Sequence, residues 1–122
     1  MNWWRDDRTV GAIARHQLLE AAVHRWDAQS ACGVPEEIPQ PVADDGVDEF
    51  VRIARQLRDP APIVLLATDT SRVFRLCDDE PVVVVSAAAS ELVLVLYARR
   101  SPDRVAVDGD RAALDIFLRP IG

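Results

Sequence analysis

The chain has 122 residues, 49% of them hydrophobic and 28% charged, which suits one globular domain with a single core. A formal net charge of −6 argues against nucleic acid or an anionic membrane surface as a partner. All 14 basic residues are arginine, so Schiff-base and lysine-base chemistry are excluded. The first ten residues, MNWWRDDRTV, lack the apolar core of a secretory signal. Trp3 and Trp4 suggest packing against something outside this chain.

The spacing predicts one long helix from Val10 to Ala31, with Thr9 or Asp7 to cap it and Gly33 and Pro35 to stop it. Val10, Ala14, Leu18, Ala21 or Ala22, and Arg25 form a stripe of mostly small apolar residues; Ile13, Gln17, Glu20, His24, Asp27 and Ala31 form the neighbouring stripe, which carries the polar groups. Residues i and i+4 are neighbours on a helix, so Glu20 and His24 can present one oxygen and one nitrogen to a single zinc-like ion. Two ligands are not a catalytic centre, which takes three and keeps a position open. His16, the other histidine, lies roughly 12 Å from His24 along the helix axis, too far to share an ion easily. The plainer alternative is an ion pair on the helix surface, or a satisfied buried imidazole. Arg25 is then expected to pair with Asp27 or another acid, Trp26 to be a core or interface aromatic, and Cys32 to be a buried structural thiol rather than a nucleophile.

VPEEIPQPV is a linker, and Pro41 opens a second helix, roughly 41–58. Val42, Val47, Phe50, Val51, Ala54 and Leu57 are expected on its apolar face, Asp48 and Arg52 form an i,i+4 pair, and Gly46 weakens it slightly. After Asp59-Pro60 the pattern changes: IVLLAT and RVFRL read as a hairpin turned by TDTS, CDDEP as a turn and VVVV as a third strand. SELVLVLYARR fits either a strand or a buried helix with Ser90 as N-cap. Its apolar surroundings, interrupted by Ser86, Ser90 and Glu91, fall short of the roughly 20 residues that span a bilayer. RVAV is a short strand, Asp108-Gly109 a turn, and Asp110 caps a last helix, 111–118, with Leu114, Phe117 and Leu118 inward. Cys32 and Cys77 show no CxxC spacing, which fits a reduced, cytoplasmic setting. The fold class expected is α+β: two N-terminal helices, then a small mixed domain with a mainly antiparallel sheet.

EAAVHRWDA (Glu20 to Ala28), Gly33 and ADDGVDEF (Ala43 to Phe50) together resemble the mycothiol-dependent maleylpyruvate isomerase family of actinobacteria. ASELVLVLYAR (Ala89 to Arg99) and VDGD (Val107 to Asp110) resemble that family's C-terminal domain, which is similar to sterol carrier protein 2. The resemblance divides the chain into residues 1–34, the last helix of a DinB-like metal-binding bundle, and residues 35–122, the sterol-carrier-like domain. It implies Glu20 and His24 as ligands of zinc or another divalent metal, which activates the thiol of mycothiol, and Arg99 as the group that binds a substrate carboxylate. It also implies that SELVLVLYAR is a buried helix. Many relatives have glycine where this chain has Ala98. The resembled family takes a third ligand, a histidine, from earlier bundle helices. The chain is therefore expected to need that bundle, separately encoded, or to work as a non-catalytic small-molecule-binding or homodimerisation domain. A lone bundle helix is expected to expose a stripe that should be packed.

Overall fold

α1, Val10–Ala31, runs the length that the sequence predicts. The computed structural model describes residues 10–119; the expected caps Thr9 and Asp7 and the Trp3-Trp4 pair lie outside them. Gly33, at φ 80°, ends the helix: its N–H donates to the Ser30 carbonyl at 3.0 Å and that of Val34 to Gln29 at 2.9 Å. This is the paired Schellman termination, which needs a left-handed residue. The side chains that α1 buries are Leu19, Val23 and Trp26. Val10 (85% exposed) and Leu18 (56%), from the small apolar stripe, face out.

α2, Gln40–Leu57, lies against α1. It buries Ala43, Gly46, Val47, Val51 and Ala54, and also Glu49. Leu57, expected inward, is 41% exposed at the last residue of the helix. The Asp48–Arg52 pair forms at 3.4 Å. Gly46 does more than weaken the helix: a Cβ there would meet Leu19 Cδ1 at 2.8 Å and Val93 Cγ2 at 2.9 Å. The missing side chain lets three helices approach at one point.

The sheet has the order β2-β1-β3-β4, from β1 (Ile63–Ala67), β2 (Arg72–Arg75), β3 (Val83–Ala87) and β4 (Ala106–Gly109). β1 and β2 are the expected hairpin, with Leu65 opposite Phe74. β1 and β3 are parallel, and β3 and β4 antiparallel, so the α+β sheet is mainly antiparallel. Alternation turns Ile63, Leu65, Ala67, Val83 and Val85 into the core. Asp108 and Gly109 are not the turn: both are paired in β4, opposite Val84 and Val83, and the chain turns after them.

α3, Ala89–Leu96, is the apolar segment that local periodicity left open between helix and strand. It packs against α2 and the sheet, burying Leu92, Val93 and Leu94 almost completely. Ser90 is not its N-cap; that position is Ala88, and the N–H of Ala89 is taken by Asp69 Oδ1 at 3.0 Å from the hairpin turn. The Ser90 hydroxyl instead accepts from the N–H of Ile38 at 2.9 Å, pinning the proline-rich linker to α3. α4, Arg111–Phe117, is capped by Asp110 as expected, and Leu114 and Phe117 are buried, Leu118 partly so. Leu19, Val23 and Trp26 of α1 belong to the same core cluster as the inward residues of the sheet. Among the described residues no helix is long and apolar enough to cross a membrane.

Candidate functional site

Glu20, His24 and Arg99 line one cleft of about 270 Å³, between α1 and the turn after α3. The cleft is completed by His16, Leu19, Val23 and Tyr97. Helical spacing stacks His16, Glu20 and His24 one turn apart along α1. The termination of α3 supplies the other wall: Ala98 N–H donates to Val95 O at 3.1 Å and Arg99 N–H to Leu94 O at 2.8 Å. Ala98 takes the left-handed φ of 60° that this termination requires.

The side chains bond differently from the expected pairing. Glu20 turns back to His16, with Oε1 3.0 Å from Nε2, and not forward to His24. The other ring nitrogen of His16, Nδ1, is 2.8 Å from Oε1 of Glu49. The satisfied, largely buried imidazole is therefore His16, whereas the His24 side chain is 73% exposed, with Nδ1 4.0 Å from Asp27 Oδ2. Asp27 pairs with Arg99 and not with the exposed Arg25: Arg99 Nε and Nη2 reach its two oxygens at 3.2 and 3.1 Å. A third donor, Nη1, bonds the Tyr97 carbonyl at 3.0 Å. The guanidinium hydrogen bond holds the Asp27 carboxyl below the usual carboxylate range; the Arg99 and His24 charges add to this, and desolvation opposes it.

Glu49 and Tyr97 were not legible as site residues. Glu49 is only 7% exposed. The signal for it is thin: it follows Ala43 and Gly46 at three-residue spacing on the inward face of α2. Tyr97 packs edge-on against Phe50, with ring centroids 5.4 Å apart. Burial, then the Glu49 and Glu20 carboxylates, raise the pKa of its phenol, which stays protonated at neutral pH as a hydrogen-bond donor. Trp26 is a core aromatic, with the Arg100 guanidinium 5.3 Å from its ring centroid. Cys32, expected to be buried, is exposed beyond the last turn of α1; the buried thiol is Cys77.

The chain matches the MDMPI C-terminal domain family over residues 14–115, a span that holds every residue of the cleft. It belongs to that family. MDMPI is the mycothiol-dependent maleylpyruvate isomerase, so the resemblance carried by EAAVHRWDA is a family relationship. Comparison with curated proteins and with solved structures gives no match. The family implies a divalent metal, and the donors of this MDMPI C-terminal domain do not make a complete site for one. Glu20 is bonded to His16, Asp27 to Arg99, and His24 stands in solvent. Among the described residues, no group of three or more His, Cys, Asp or Glu side chains is arranged to hold an ion. A catalytic zinc takes three protein ligands.

Proposed function

We propose that this domain is the C-terminal portion of a divalent-metal, mycothiol-dependent isomerase or transferase, and that it acts only with a helical bundle packed on α1. The observation that carries this reading is the shared cleft: Arg99, distant in sequence, lines one cavity with Glu20 and His24 of α1. Glu20 and His24 contribute two donors there, and the bundle contributes the remaining ligand and the thiol-binding surface. Arg99 offers a planar fork suited to a carboxylate, and the protonated phenol of Tyr97 can donate to a substrate oxygen. The exposed Val10 and Leu18 supply the apolar contact for the bundle. The setting is the reducing cytoplasm, where Cys32 and Cys77 remain thiols.

A second reading, a non-catalytic small-molecule-binding or homodimerisation domain, is favoured by the engagement of Arg99 with Asp27 and of Glu20 with His16. Calorimetric zinc titration separates the two, run on the chain alone and on its mixture with the helical bundle of a mycothiol-dependent maleylpyruvate isomerase, with mass measured in solution. The first reading expects weak binding alone, tightening with the bundle, and loss of the gain in Glu20→Ala and His24→Ala. Equal weak binding in both samples would overturn it, and a doubled mass of the chain alone would then favour the homodimer.

A further inference from the structure

A second cavity, of about 390 Å³, shares no residue with the α1 cleft. It opens between the end of α2, the start of β1 and α4, and its walls are Ala61, Ile63, Ala113, Ile116 and Phe117. Its size falls in the range of small-molecule sites, roughly 300–1,000 Å³, and such sites combine apolar walls with a few polar groups. Here the polar group is Arg58. Its guanidinium carbon sits 5.5 Å from the centroid of the Phe50 ring and 5.0 Å from that of Phe117. One N–H is used on the Phe117 carbonyl. A guanidinium has five such donors.

Arg58 differs from the other half-buried arginines. Arg100 pairs with Glu91, and Arg111 pairs with Asp103 and Asp115. Arg58 has no carboxylate partner among the described residues. Partial burial lowers its pKa, so part of its hydration is lost with no carboxylate among the described residues to offset it. A partly buried cation with unused donors beside an apolar wall is complementary to an anion with an apolar body. Arg119 adds a second positive charge at the rim, against the single negative charge of Asp59.

We propose that this cavity binds a small monocarboxylic acid with an apolar body, its carboxylate on Arg58 and its hydrocarbon part against Ala61, Ile63 and Ile116. The test is an amide NMR titration of the full chain with octanoate, octan-1-ol and octylamine as probes. Octanoate should shift the amides of Ile63, Ala113 and Phe117, and bind about tenfold or more tightly than octan-1-ol, with octylamine weakest. Arg58→Met should bring octanoate down to the affinity of octan-1-ol. Ile116→Glu alters an exposed side chain at the wall, so it tests the site even if Arg58→Met does not fold; it should weaken octanoate by about tenfold as well. Equal affinity for octanoate and octan-1-ol, preference for octylamine, shifts centred on His24 and Arg99, or undiminished octanoate binding by Ile116→Glu would each overturn the proposal.

Discussion

Arg99 grips Asp27 through two nitrogens, at 3.2 and 3.1 Å, and so ties the turn after α3 to the C-terminal part of α1. The same side chain borders the cleft, so the group best suited to a substrate carboxylate already holds one. Under the proposed function, a substrate carboxylate would have to displace Asp27 or bind beside it.

The tie has a pH dependence of known sign. Asp27 has a lowered pKa in the folded chain, chiefly through the Arg99 hydrogen bond. A depressed carboxyl contributes stability above its unfolded pKa, about 3.9, and loses it as pH falls through the lower folded value. The pair is well exposed, so the contribution to stability is small. Carboxyl-detected NMR should find Asp27 titrating below about 3.9. Arg99→Met should raise that value, and an unchanged titration in the variant would mean that Arg99 is not the cause.

Glu49 is the buried half of the chain Glu49–His16–Glu20. Glu49→Leu preserves bulk and removes the acceptor for His16 Nδ1. The expected loss is about 1–3 kcal/mol in urea unfolding, the cost of leaving a polar group poorly satisfied. Glu49→Gln, which keeps an acceptor oxygen, should lose less. Equal stability of Glu49→Leu and the parent would show that His16 finds another partner at no cost.

α1 was legible through its stop at Gly33 and Pro35 and not through its pattern, since the face it buries, Leu19, Val23 and Trp26, is not the apolar stripe that spacing picks out. α3 was ambiguous for a physical reason: Ala89, Ser90 and Leu92 to Leu96 are all buried, so neither a period of two nor one of 3.6 leaves a polar face to read. The resemblance to the family decided it. The parallel pairing of β1 and β3 is a tertiary choice, and no local residue announces it. In the cleft, Glu20, His24 and Arg99 could be named from their motifs. Glu20–His16 and His24–Asp27 lie within helical spacing, but His16–Glu49 spans 33 positions and Asp27–Arg99 spans 72, distances that local spacing cannot register.

Leu94 tests the burial of α3 directly. It is 1% exposed, at the centre of α3. Leu94→Asp places a carboxylate among Leu92, Val93 and the sheet with no cation to meet it. The expected loss is about 4–5 kcal/mol or more, at the extreme of single substitutions and a large fraction of a domain's total stability. Circular dichroism should show the chain largely unfolded; a native-like melt would place that side chain at the surface.

Ala98 tests the backbone that presents Arg99. Its φ of 60° lies in the left-handed region, where a side-chain Cβ costs roughly 1–2 kcal/mol. Glycine removes that strain but adds freedom to the unfolded chain, which offsets about 0.4–1 kcal/mol of the gain. Ala98→Gly should therefore stabilise the domain by about 0.5–1 kcal/mol, net of these two terms. Because the Arg99 N–H is bonded to Leu94 O in the same termination, the substitution should leave the Asp27–Arg99 contact intact. An urea midpoint that falls, with unfolding slope unchanged, would mean that the turn holds a conformation other than the left-handed one.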